Sequence, residues 1–254
     1  DETPTGRIQI KKTDADGIIQ GEASLEGAEY TVYDSQKKEV GKITTDKEGH
    51  GSLNNLLLGT YTVKETKAPL GYNLDPNTYT VELTYKDQTS SIIFAGVESQ
   101  DKVKTGYIEI LKTDTDNHSL KGGEFGIYTN NDMYIGSTLY KKGQLVMSIK
   151  TNEKGIAKSD PLLYGSYYVK EMKAPGIEEG NKENFVLSDE TQYVKISGDK
   201  VFSMTFIDVT VTASKKDITG SDEIKGAKMQ VTDMNGQVID TWTSGEKPHS
   251  IKGL

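Results

Sequence analysis

Apolar and polar residues alternate at every second position over short runs of the chain. Ile8 and Ile10 alternate with polar neighbours, as do Tyr61 and Val63 further along. This period of two is typical of β-strands with one buried face. Turn-forming clusters separate the runs, at residues 14–17, 46–49 and 233–236. No stretch of about ten residues shows helical spacing, so the pattern predicts an all-β fold of small antiparallel sandwiches.

The chain repeats itself. Residues 6–14 (GRIQIKKTD) return as 106–114 (GYIEILKTD) and more loosely as 211–217, and residues 59–69 return as 165–175. The distances from Lys12 to Lys112 and from Lys112 to Lys215 are 100 and 103 residues. Solenoid repeats are much shorter, about 20 to 50 residues, so this period indicates tandem Ig-like domains. We predict domains at 1–101, 102–208 and 209–254.

The third copy contains only the first half of the repeat, because residues 250–254 align with 52–56. Half a sandwich would leave strand edges and an apolar face uncovered. We therefore expect the chain to be part of a longer protein, or another chain to supply the missing strands.

Composition excludes several kinds of chemistry. The 254 residues include 30 Lys and Arg and 38 Asp and Glu, and the resulting net charge of −8 argues against nucleic-acid partners. The absence of cysteine excludes disulfides and a thiol nucleophile. The three histidines lack metal-ligand spacing, and no apolar run approaches the roughly 18 to 20 residues of a membrane span. We predict no metal, no cofactor and no membrane-spanning segment.

Charged residues continue the apolar side of several predicted strands. Lys12 and Lys112 share the side of the isoleucines before them, Glu65 and Glu171 follow a Tyr and a Val in the same way, and Asp208 follows Met204 and Phe206. Burial of separate charges costs several kcal/mol each unless they pair or neutralise.

Two explanations are open for these charges. The lysines and glutamates could form partly solvated salt bridges at sheet ends. Alternatively, a desolvated, neutral lysine could attack a side-chain carbonyl that a protonated glutamate polarises, which would join two side chains by an amide.

The run YTVKETKAPLGY at residues 61–72 resembles the E-box of Gram-positive pilins. Both full copies, and the first half of the third, resemble the Cna B-type (prealbumin-like) modules of surface adhesins and pili. In that family a first-strand Lys bonds to an Asn or Asp on the last strand, and the E-box Glu catalyses the reaction. The resemblance implies that Lys112 is the nucleophile, Glu171 the proton relay and Asp208 the acceptor.

The other copies depart from this pattern. An alignment of residues 92–96 with 204–208 places Gly96 at the acceptor position of the first copy, and glycine has no carbonyl side chain. We therefore predict an unbonded Lys12–Glu65 ion pair there, unless a register shift brings Glu98 or Asp101 into reach. In the third copy Lys215 is an orphan nucleophile, because its glutamate and acceptor lie outside the chain.

The resemblance implies a structural stalk of a Gram-positive adhesin or pilin-like protein, at the extracellular cell surface or cell wall. Its partners would be other domains of the same surface protein, and its only chemistry intramolecular isopeptide formation. The alternative is a ligand-binding adhesin domain that contacts a host matrix protein or a glycan. No motif predicts an enzyme acting on an external substrate.

Overall fold

The computed structural model describes residues 4–85 and 93–252. The strands of the first repeat are β1 (Thr5–Asp14), β2 (Glu29–Tyr33), β3 (Glu39–Thr44), β4 (His50–Leu57), β5 (Gly59–Lys67), β6 (Thr78–Leu83) and β7 (Ile93–Asp101). They form one sheet of order β4-β1-β7 and a second of order β3-β2-β5-β6. The two sheets enclose a core that includes Ile8, Tyr30 and Val63.

The second repeat has the same plan with added short strands. Its elements are β8 (Thr105–Asp114), β9 (Glu124–Thr129), β10 (Met133–Ile135), β11 (Thr138–Tyr140), β12 (Leu145–Lys150), β13 (Ile156–Lys158), β14 (Leu162–Leu163), β15 (Gly165–Lys173), a 3₁₀ turn η1 (Ile177–Glu179), β16 (Thr191–Ile196) and β17 (Val201–Asp208). One sheet has the order β12-β9-β15-β16. In the other, β8 pairs with β13 and β14 along one edge and with β17 along the opposite edge.

The first and last strands of each repeat run parallel and side by side. β1 pairs with β7, and β8 pairs with β17; the other strand pairs of the two repeats are antiparallel. In this register Lys112 lies opposite Phe206, and Asp114 lies opposite Asp208. The pairing therefore brings the carboxyl ends of the opening and closing strands to the same place.

The remaining residues form β18 (Thr212–Ala213), β19 (Lys228–Thr232), β20 (Val238–Thr243) and β21 (His249–Ser250). β18 pairs with β21, and β19 pairs with β20. No helix in the described part of the chain is long and apolar enough to cross a membrane. The predicted all-β fold of tandem sandwiches is confirmed.

The first two repeats contact each other through side chains as well as the chain connection. The Glu22 carboxylate accepts hydrogen bonds from the backbone N–H and the hydroxyl of Ser166, at 2.9 and 3.1 Å. Tyr72, the last residue of the E-box run, is fully buried and donates its hydroxyl to Asp14 at 2.7 Å. It also forms a β-bridge with Val103 in the connection. These contacts fix the E-box end of the first repeat against the start of the second.

Candidate functional site

Three charged side chains meet in the interior of the second repeat. Lys112 projects inward from β8, Glu171 from β15 and Asp208 from β17, and all three side chains are fully buried. The lysine Nζ lies 2.9 Å from Glu171 Oε1 and contacts Asp208 Oδ1. The other oxygen of Glu171 accepts the Ser188 backbone N–H at 2.9 Å. An amine and a carboxyl group thus touch, with an acid beside them.

Aromatic rings line this cluster. Lys112 Nζ lies 5.5 Å from the ring centroid of Phe125 and 5.9 Å from that of Phe206. The two rings pack on each other with centroids 4.9 Å apart. Rings of this kind exclude water and leave the charges in a medium of low polarity, which strengthens the contacts among them and disfavours any unpaired charge.

Burial sets the protonation of the two carboxyl groups. It raises the pKa of Glu171 to about 7, although the Lys112 charge and the Ser188 hydrogen bond oppose the rise. It also raises the pKa of Asp208 above its usual range, again against the effect of Lys112. A substantial share of Glu171 therefore carries its proton at neutral pH, as a proton relay requires.

The first repeat contains a matching cluster that the sequence alignment misplaced. Lys12 Nζ lies 2.8 Å from Glu65 Oε1 and 2.5 Å from Asp101 Oδ1, and all three side chains are fully buried. Asp101 lies opposite Asp14 on the neighbouring strand, as Asp208 lies opposite Asp114. Asp101 is therefore the structural counterpart of Asp208.

The assignment of Gly96 to the acceptor position was wrong. Residue 92 of that alignment lies outside the described residues, but Gly96 lies opposite Gln9, three positions before Lys12, and is exposed. A count from the E-box glutamate would have found the acceptor. Asp101 follows Glu65 by 36 residues and Asp208 follows Glu171 by 37, whereas Gly96 follows Glu65 by only 31. Of the two alternatives we named, Asp101 is buried against Lys12 and Glu98 is exposed.

Polar side chains line the first cluster. Tyr30 takes the place of Phe125, with its ring centroid 5.5 Å from Lys12 Nζ. Ser99 takes the place of Phe206 and accepts a hydrogen bond from Lys12 at 3.1 Å. Ser99 in turn donates to a further buried carboxylate, Asp75, at 2.8 Å. The sequence gives no signal for Asp75, since it lies in the loop between β5 and β6.

Burial also acts on the acceptor of the first repeat. It raises the pKa of Asp101 to about 6, with Lys12 opposing the rise and Glu65 adding to it. Both repeats therefore hold an acceptor carboxyl that binds a proton more tightly than an exposed aspartate would.

Lys215 occupies the matching position in the third segment. Its carbonyl accepts the Ile224 N–H at 2.7 Å, as the Lys112 carbonyl accepts the Leu120 N–H at 3.0 Å. The Lys215 side chain, however, is exposed. Within residues 4–85 and 93–252, no group of three His, Asp or Glu side chains is placed to hold a metal ion.

Comparisons with known proteins agree with this architecture. The surface T6 protein of Streptococcus pyogenes serotype M6, which is described as trypsin-resistant, is 32% identical over 53% of this chain and 25% of its own length. The serine-aspartate repeat-containing protein F of Staphylococcus epidermidis is 27% identical over 92% of this chain and 15% of its own length. This chain therefore spans a quarter or less of these relatives.

The solved structure of the Bacillus anthracis TIE protein superposes with a TM-score of 0.60 at 25% identity, over 98% of this chain and 44% of that one. The family of SpaA-type prealbumin-like fold domains matches residues 6–96 and again residues 106–210. The chain therefore belongs to the prealbumin-like fold family found in the surface proteins and pilins of Gram-positive bacteria, and it carries that domain in tandem.

Proposed function

We propose that this chain is a load-bearing stalk segment of an extracellular Gram-positive surface protein, and that both full repeats cross-link themselves by a Lys–Asp isopeptide bond. The observation that carries the proposal is the buried contact of Lys112 Nζ with Asp208 beside Glu171. The corresponding contact of Lys12 with Asp101 supports a second bond. Neither bond needs a cofactor or an external substrate.

The reaction balances within each cluster. Lys112 Nζ forms a bond to Asp208 Cγ, and the bond from Cγ to one carboxyl oxygen breaks. Glu171 passes two protons in succession from the lysine nitrogen to the departing oxygen, so that an ammonium and a carboxylate become an amide and one water. Glu171 ends the reaction in the form in which it began.

The position of the bond explains how it would resist tension. A force along the chain enters the second repeat at β8 and leaves after β17, and the bond joins these two strands near their carboxyl ends. Without the bond, tension would shear the parallel pair. With the bond, the load passes from β8 through one amide to the chain after Asp208, and the residues between them carry none of it.

Intact mass under denaturing conditions tests the proposal. We expect the purified chain to be lighter than its sequence by two waters, and peptide mapping to place the bonds at Lys12–Asp101 and Lys112–Asp208. In Glu171→Ala the deficit should shrink to one water. The exposed Glu178→Ala is the matched control and should keep the deficit of two waters relative to its own sequence. An unshifted mass for the parent chain, or a retained bond in Glu171→Ala, contradicts the mechanism.

A single-molecule pulling experiment tests the mechanical role. Cross-linked repeats should not lengthen by a full domain before the chain detaches, whereas Glu171→Ala should add the extension of one unfolded repeat. The alternative, a ligand-binding adhesin domain, stays a prediction that a binding screen against matrix proteins and glycans would test.

A further inference from the structure

A third carboxylate lies close to the lysine of the first repeat. Asp75 is buried, with 3% of its surface exposed. Its Oδ2 accepts the Ser99 hydroxyl at 2.8 Å and the Tyr79 hydroxyl at 2.5 Å. Because Ser99 also accepts from Lys12 Nζ at 3.1 Å, the Asp75 carboxylate lies within about 6 Å of the lysine nitrogen.

The second repeat lacks this carboxylate at the equivalent position. The backbone N–H of Ser188 donates to Glu171 at 2.9 Å, as that of Asp75 donates to Glu65 at 2.6 Å, so Ser188 is the counterpart of Asp75. The Ser188 hydroxyl instead accepts the backbone N–H of Glu190. In the second repeat a neutral side chain therefore replaces a charged one.

We propose that Asp75, acting through Ser99, holds Lys12 in its ammonium form and makes the first repeat cross-link more slowly than the second. Asp75 is a positioning residue, since it touches neither reacting atom. The inference rests on the proposed self-cross-linking and adds that Asp75 lowers its rate in the first repeat.

The physical basis is that only the neutral amine attacks the acceptor carbon. Among the described residues of the first repeat, three carboxyl groups face Lys12: Glu65 from β5, Asp101 from β7 and Asp75 from the β5–β6 loop. The phenol of Tyr30 on β2 and the phenol of Tyr79 on β6 complete the titratable surroundings. In the second repeat, Glu171 and Asp208 are the carboxyl groups within ion-pair distance of Lys112.

Asp75 is ionised at neutral pH. Burial alone would raise the pKa of Asp75, but hydrogen bonds from Tyr79, the Asn77 backbone and Ser99, together with the Lys12 charge, lower it below its usual range. A carboxylate charge about 6 Å away, in the effective permittivity of about 20 that suits protein sites, favours the charged ammonium over the neutral amine. We therefore expect Asp75 to slow amide formation by about tenfold or more.

The test measures both bonds in one sample. The full chain is made by a short pulse of cell-free translation, aliquots are denatured at successive times, and the Lys12–Asp101 and Lys112–Asp208 cross-linked peptides are quantified by mass spectrometry. In the parent chain the second-repeat peptide should appear first. In Asp75→Asn, which keeps the size of the side chain and one oxygen to accept from Ser99 and Tyr79, the first-repeat peptide should form about tenfold faster while the second-repeat rate is unchanged.

The pH profile separates an electrostatic role from a merely structural one. Because the effect of Asp75 depends on a charged amine beside it, the rate advantage of Asp75→Asn should shrink as pH rises. The exposed Glu82→Gln, on β6 of the same domain, removes the same charge outside the core and should change neither rate. Asp75→Ser installs the residue of the second repeat and is a second route to the same result if Asp75→Asn folds poorly.

A reciprocal variant places the equivalents of Asp75 and Ser99 in the second repeat. Ser188→Asp with Phe206→Ser should slow the Lys112–Asp208 peptide and leave the first repeat unchanged. A first-repeat rate that is unchanged or lower in both Asp75 variants, or no first-repeat bond in either, overturns the inference. Failure of the proposed function has a different signature, since the Lys112–Asp208 peptide would then be missing from the parent chain.

Discussion

The first and second repeats place a lysine, a glutamate and an aspartate on equivalent strands but surround them differently. Lys112 lies beside the packed rings of Phe125 and Phe206, whereas Lys12 lies beside the phenol of Tyr30 and the hydroxyl of Ser99. The backbone register of the parallel strand pair decides which reactive atoms meet. The lining decides how readily those atoms carry the protons that the reaction needs.

The comparison separates the effect of the cluster's geometry from the effect of its lining, which a single site would not allow. In the second repeat, an apolar lining raises the pKa of both carboxyl groups and leaves one lysine to balance them. In the first repeat, the Ser99 hydroxyl extends the cluster to Asp75, whose pKa is lowered. We therefore expect the two clusters to form the proposed bond at different rates, and variants in one repeat have their control in the other.

The largest expected effect is the loss of an acceptor. Asp208→Ala should lower the free energy of unfolding of the second repeat by about 4.7 kcal/mol, because a bond that closes a loop of roughly 100 residues removes that much chain entropy from the unfolded state. Asp101→Ala should cost the first repeat nearly the same, since its loop is only slightly shorter. Hydrogen exchange of amides in β8 and in β1 reports each repeat separately.

This experiment also decides between the two interpretations of the first repeat. A much smaller cost for Asp101→Ala than for Asp208→Ala would favour the unbonded ion pair that the sequence predicted. The exposed Asp160→Ala is the control and should change neither repeat measurably.

The next effect concerns the aromatic lining. Phe206→Ala should destabilise the second repeat by about 3 to 5 kcal/mol, because it leaves a cavity beside Phe125 and Lys112. Calorimetry of the cross-linked protein measures this loss apart from the bond itself. Phe94→Ala, at a ring that is 55% exposed on β7, should cost well under about 1 kcal/mol. Equal costs for the two substitutions would mean that the lining does not pack as described.

A third effect is a pH dependence in the first repeat. In Glu65→Gln, which should block the bond, Asp101 stays titratable. In the parent chain burial raises the pKa of Asp101 to about 6 and Glu65 adds to the rise; in Glu65→Gln burial still raises it above the value of 3.8 for an exposed aspartate, so the folded state binds more protons just above that pH. The free energy of unfolding should therefore decrease as pH rises from about 4 toward about 6, by up to about 2 kcal/mol.

Comparison with a second variant isolates the contribution of Asp101 to this pH dependence. Glu65→Gln with Asp101→Ala contains the same other carboxyl groups but not the one in question. Its denaturation curves between pH 4 and pH 6 should lack the decrease. If both proteins show the same pH slope, the Asp101 carboxyl is not desolvated in the folded state.

The sequence was sufficient to predict the buried charged residues that continue a local alternation of apolar and polar positions. Period-two alternation on β1, β8 and β15 predicts strands whose buried side ends in a charged residue, and the structure buries Lys12, Lys112 and Glu171 on that side. Asp208 follows the same alternation on β17. These side chains are identifiable because a charge on an apolar face is rare.

The sequence was insufficient where position depends on register between distant strands. Gly96 and Asp101 lie on the same strand, and local alternation cannot tell which of them faces Lys12 when the start of that strand is misjudged. Asp75 and Ser99 are ordinary polar residues in the sequence. Only the folded chain shows that they form a hydrogen-bonded link to the lysine.

The smallest expected effect tests how the third carboxylate is held. Tyr79→Phe removes one hydrogen bond to the Asp75 carboxylate and should cost the first repeat about 1.5 kcal/mol, the low end for bonds to charged groups, because Tyr79 is only partly buried. Asp75 should stay ionised at neutral pH, because its pKa lies below its usual range and the Asn77 and Ser99 hydrogen bonds remain. The Lys12–Asp101 peptide should therefore form at about the rate of the parent chain and more slowly than in Asp75→Asn. The Tyr193→Phe change, at a 67% exposed ring on β16, should alter neither quantity. A Tyr79→Phe chain that cross-links as fast as Asp75→Asn would show that local packing, and not the charge of Asp75, sets the rate in the first repeat.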